Sequence, residues 1–178
     1  MKTFSSVVSN VSLLLAFAVA AHGNSVSASQ SLAVNLGANA KVAVVQPAVT
    51  LVHSGGTFAN FTGNVTVRYK VRTTPTGAST LTVAAASEFT PANGPSIAAS
   101  DLTYTCSAAT LGTPCTGSQT VRTSTQGTVV TVGGGACTGS GCTGSDPNSV
   151  SISLTLVNSP AFRTGSYSTS LTFSISAL

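Results

Sequence analysis

The chain has 178 residues, 42% of them hydrophobic and only 6% charged, with seven Lys and Arg against three Asp and Glu for a formal net charge of +4. An average soluble domain is roughly one quarter charged. Charge this sparse excludes the dense basic face that grips phosphate backbones, so no nucleic-acid partner is expected, and apolar content this high excludes a disordered chain. Ser and Thr make up nearly a third of the residues, so solubility rests on hydroxyls.

In chain order, the first feature is a leader. Lys2 gives a positive start, 13–21 is an apolar run, and small residues follow. The run is short of the roughly 20 residues that span a bilayer, so it reads as a signal peptide, and no transmembrane segment is expected in the mature chain. Cleavage fits after Ala20, Ala21 or Ala28; the last is favoured, giving a signal over 1–28 and one domain over 29–178. Loss of Lys2 takes the net charge from +4 to +3. The mature chain is expected to be secreted, to the periplasm or the cell surface.

Alternation of apolar with hydroxyl residues then predicts short strands at 31–36, 41–45, 48–52, 64–73, 79–85, 101–106, 119–123, 128–132, 149–157 and 166–177. Breaks such as Ser54-Gly-Gly-Thr57, Thr74-Pro-Thr-Gly77 and Gly133-Gly-Gly135 lie between them. The clearest strand sets Val65, Val67, Tyr69 and Val71 against Thr66, Arg68, Lys70 and Arg72; another sets Val150, Ile152, Leu154 and Leu156 against Ser151, Ser153 and Thr155. One face of each goes inward. Many short strands with no helical period between them predict an all-β fold, a single Ig-like Greek-key β-sandwich, with a closed barrel as the alternative. There is no Trp, so Phe58, Phe61, Phe89, Phe162 and Phe173 are expected to supply core bulk.

Four cysteines behind a signal peptide imply disulfides. Of three connectivities the local one is favoured, Cys106 with Cys115 and Cys137 with Cys142, each pair flanking a turn and stapling a loop rather than joining sheets. Their spacings are not those of a zinc site. Asp146-Pro-Asn148 reads as a turn rather than a calcium loop. No cofactor is expected.

Catalysis needs titratable groups that converge. The mature chain offers His53 beside a Gly-Gly turn and three carboxylates in or beside turns, with no G-x-S-x-G elbow. The expectation is a protein that is not an enzyme. Arg68, Lys70 and Arg72 line one outward face, where they guard a strand against wrong pairing or, less simply, meet an acidic or sulfated glycan.

The final run alternates Tyr167, Leu171, Phe173, Ile175 and Ala177 with Ser and Thr, and Gly165 stands fourteen residues from the end. That stretch resembles the close of a chaperone-usher pilin subunit, and the Ser/Thr-rich strand texture is also similar to spore-coat-U-like secreted sandwich proteins. The resemblance implies that this strand pairs first with a periplasmic chaperone and then borders a groove, left open by a missing strand, that the next subunit fills. It also implies a donor, an N-terminal extension of alternating apolar residues, a part that Leu32, Val34 and Leu36 fit. Affinity would come from main-chain hydrogen bonds and register from alternate side chains. The expected function is therefore a structural or adhesive subunit of a surface fibre or coat, with other copies as partners. The alternative is a monomeric carbohydrate-binding module.

Overall fold

A computed structural model describes residues 30–91, 96–134 and 148–178. The chain divides into two units, Met1–Asn35 and Leu36–Leu178. Of the first, only 30–35 are described; they are exposed and form no regular structure. The expected leader, 1–28, lies outside the described residues.

The second unit is a β-sandwich. One sheet contains β1 (Asn39–Val44), β2 (Val52–His53), β3 (Phe61–Arg72), β6 (Leu102–Ser107), β8 (Gln119–Thr120) and β10 (Asn148–Leu156). Its order is β1-β3-β10-β6-β8, with β2 pairing β3 beyond β1. The other contains β4 (Ser79–Ala85), β7 (Thr113–Pro114), β9 (Gly127–Val132) and β12 (Leu171–Ala177), in the order β12-β4-β9-β7. A small ribbon pairs β5 (Thr90–Pro91) with β11 (Tyr167–Ser168), and one turn of 3-10 helix at Ala99–Asp101 leads into β6. Every pairing is antiparallel.

The topology follows the Greek-key expectation. In an Ig sandwich, strands A, B, E and D form one sheet and C, F and G the other. With β1, β3, β4, β6, β10 and β12 as A to F, the first sheet reads A-B-E-D and the second places F beside C. The place of G, along the outer edge of β12, holds no strand among the described residues.

Period-two patterning produces the core. Val65, Val67, Tyr69 and Val71 of β3 face inward with Val150, Ile152, Leu154 and Leu156 of β10, and meet Leu81, Val83, Ala85, Val129, Val130 and Val132 from the other sheet. The large aromatic bulk differs from expectation. Tyr69 and Tyr104 are fully buried, whereas Phe58 is exposed and Phe61, Phe162 and Phe173 are only half-buried; of the five phenylalanines expected in the core, Phe89 alone is buried. The tyrosines can lie this deep because each hydroxyl finds an acceptor: Tyr104 donates to the Thr128 carbonyl of the facing sheet at 2.9 Å, and Tyr69 donates to the Leu111 carbonyl.

Four expected strands take other forms. The 48–52 strand shrinks to β2, the 119–123 strand shrinks to β8, and the final strand splits into β11 and β12. Residues 31–36 form no strand, because alternation fixes which side chains share a face but supplies no partner.

Cys106 and Cys115 form the expected disulfide, Cα to Cα 5.3 Å. It joins the end of β6 in one sheet to the residue after β7 in the other, so it ties the sheets together; local spacing in sequence does not reveal that the chain changes sheets between the two cysteines. Cys137 and Cys142 lie outside the described residues. Replacing both Cys106 and Cys115 by Ala should destabilise the domain by about 2.5 kcal/mol in the chain-entropy view of so short a loop, a loss that urea unfolding of oxidised wild type and variant will measure.

Candidate functional site: an open sheet edge above the core

The disulfide closes one side of the sandwich. On the other, β1 and β12, the edge strands of their sheets, lie close together without pairing. β12 is held firmly along its inner edge: its register with β4 runs from Leu171 opposite Ala85 to Ala177 opposite Ser79, extended by Ala86 N–H to Ser170 O at 2.8 Å and Leu178 N–H to Ala78 O at 3.1 Å. Its outer edge makes no ladder among the described residues. Burial shows the same asymmetry. Leu81, Val83 and Ala85 of β4 are buried, while Leu171, Phe173, Ile175 and Ala177 of β12 carry an equally regular apolar alternation and are only half-buried.

The facing wall arises from a local break in β1. Val45 N–H still reaches Thr66 O at 2.9 Å, but the next donor on β3, Thr66 N–H, is taken by the side-chain Oε1 of Gln46 at 2.9 Å. Pro47 follows and has no N–H to offer. The chain therefore leaves β3 at Gln46 and returns only at β2, where Val52 pairs with Thr62. Val49 and Leu51 tuck over Gly63; a Cβ there would stand 2.7 Å from Leu51 Cδ2, so a side chain at 63 would push the Leu51 side chain aside.

Between this wall and β12 runs a groove of about 510 Å³. Val44, Pro47, Val49 and Leu51 line one side, and Ser168, Thr169, Ser170, Leu171 and Phe173 the other. Its floor is made by Val65, Phe89, Leu102 and Leu154, all buried core side chains. The furrow opens onto the core beside a strand edge that carries no ladder among the described residues.

The residues singled out from sequence fall into three places. Leu171 and Phe173 line the groove, Ile175 continues their strand, and Tyr167 lies on β11 opposite Pro91, its hydroxyl donating to Arg163 O at 3.0 Å. Gly165 is exposed and precedes β11; a Cβ there would make only ordinary contact with Tyr167, so no close approach demands a glycine. Leu32, Val34 and Leu36 are 94%, 81% and 65% exposed and form an alternating apolar row. Arg68, Lys70 and Arg72 lie on the outward face of β3, away from the groove. The wall from Gln46 to Leu51 was not foreseen, since 48–52 reads as an ordinary strand; the sequence signal for it is the Gln-Pro pair that ends the β1 ladder.

Among the described residues no group of His, Cys, Asp and Glu is placed to hold a metal ion, and no helix is long and apolar enough to cross a membrane. Compared with known proteins, the chain matches no family model, no curated protein and no solved structure.

Proposed function

We propose that this protein is a secreted structural subunit of a surface fibre or coat, joined to other copies by strand donation. The groove beside β12, in the place of the seventh strand of an Ig sandwich, is the observation that carries this reading. The donor is the segment 31–36 of a neighbouring copy. Its Leu32, Val34 and Leu36 have the two-residue period that sets all three on one face, and β12 offers half-buried apolar side chains to receive them. A chaperone strand in the same groove would keep the subunit soluble before assembly, as an uncovered apolar edge invites aggregation.

The test is deletion of 31–36 from the mature chain. Wild-type protein should form a ladder of oligomers resistant to mild detergent, and the deleted chain should run as a monomer with an unchanged near-ultraviolet tyrosine signal. Assembly that survives the deletion, or a wild type that stays monomeric at every concentration, overturns the proposal.

A further inference from the structure

The four cations on one face of the first sheet form a cluster larger than the sequence suggests. Lys41 on β1 stands directly opposite Lys70 on β3, and on the same outward face Arg68 and Arg72 flank Lys70 two residues to either side. Arg68 faces Ala43 on one side and Ser149 on the other. It thus sits on a strand paired along both edges, and protection against wrong strand pairing does not account for it. Of the seven cations in the chain, four stand on this one face.

The two described side-chain carboxylates, Glu88 and Asp101, lie on neither β1 nor β3. Glu88 accepts from the Ala99 amide, and Asp101 precedes β6, whose first residue Leu102 pairs with Leu156, itself opposite Phe61. Phe61 is seven residues along β3 from Arg68, about 23 Å at strand rise. Even with the remaining acid of the sequence, Asp146, set against the cluster, four cations less one leave a net +3.

The surroundings indicate what kind of anion fits. The face around the cations carries the hydroxyl and amide side chains of Asn39, Asn64, Thr66, Ser149 and Ser151, with the small Ala43 opposite Arg68. An anionic lipid surface calls for apolar or aromatic anchors beside the charge, and a single-stranded nucleic acid calls for aromatic platforms; neither is present among these neighbours. Cations set at about 6.8 Å along a strand and about 5 Å across it, interspersed with hydroxyls and amides, complement a chain of sugars whose sulfates or carboxylates alternate with hydroxyl groups.

We infer that the outward face of β1 and β3, through Lys41, Arg68, Lys70 and Arg72, is a binding site for a linear anionic polysaccharide. This site is separate from the groove and stands whether or not copies of the chain assemble. The test uses immobilised dextran sulfate and polygalacturonate, with neutral dextran, phosphatidylglycerol vesicles and a single-stranded DNA oligomer as comparisons. The mature protein should bind both acidic polysaccharides, more weakly as salt rises. The R68S/K70S variant should bind about tenfold more weakly, each exposed charge contact contributing modestly, while R122S/R163S, which removes the same charge from exposed sites elsewhere, should stay within about twofold of wild type. Equal losses in the two double variants, binding to neutral dextran, or tighter binding to DNA or vesicles than to either polysaccharide would overturn the assignment.

Discussion

Tyr104→Ala should cost the domain about 3–5 kcal/mol, as expected when a large buried aromatic is removed and the void between packed sheets cannot close. The total stability of a domain is roughly 5–15 kcal/mol, so this single change consumes a large part of it. Tyr104 is 1% exposed and spans the sandwich from β6 to β9. Gly127 lies beneath it; a Cβ there would stand 2.4 Å from the Tyr104 hydroxyl, and Gly127→Ala should therefore cost stability as well, by displacing the ring. Tyr104→Phe keeps the ring and loses only the bond to Thr128 O, an expected penalty of about 1 kcal/mol. The three variants, compared by urea unfolding, separate packing from hydrogen bonding. Equal losses for the Phe and Ala variants would contradict the cavity argument.

The same tyrosines set a limit at high pH. Burial pushes the Tyr104 hydroxyl above its ordinary value, and burial does the same to Tyr69 against the opposing pull of its bond to Leu111 O. An acid whose pKa is raised by folding binds its proton more tightly in the folded state. Its contribution is complete below the unfolded value of 10.0 and is lost as pH rises through the folded one. The melting temperature should accordingly decline above about pH 10, and less steeply in a Tyr69→Phe, Tyr104→Phe double variant.

How far the sequence discloses this fold depends on which force sets each feature. The strands that became β3, β4 and β10 were legible because one of their faces is wholly buried, and burial imposes strict alternation; 79–85 emerges as β4 with the same bounds. The final strand alternates just as well yet is an edge, because alternation records which way side chains point and not whether another strand lies alongside. Its division falls at Thr169 and Ser170, where Thr169 Oγ1 donates to Ser87 O at 2.7 Å. In a chain so full of hydroxyls nothing marks those two from their neighbours. The groove was foreshadowed at one wall only. Its other wall follows from a glutamine side chain taking a backbone donor, which is a tertiary event, and the disulfide's role in joining sheets required knowing that the chain crosses between Ser107 and Thr113.

A synthetic peptide of residues 30–38 should raise the melting temperature of the chain lacking 31–36, saturably. Any ligand that binds only the folded state stabilises it by about 2.7 kcal/mol at one hundred times its dissociation constant. For a domain of this size that corresponds to a rise of roughly 5–10 °C. The specificity of the effect lies in the alternation. Changing Val34 to Asp would put a carboxylate over a floor of Val65, Phe89, Leu102 and Leu154, where it has no partner and loses its water; that peptide should give no shift. Changing the alternate residue Asn35 to Asp puts the charge on the opposite, outward side of the added strand and should leave the shift nearly intact. Opposite responses at adjacent positions are what an extended strand in the groove requires. Equal responses would mean that the peptide binds without strand register, and that the open edge of β12 is not its seat.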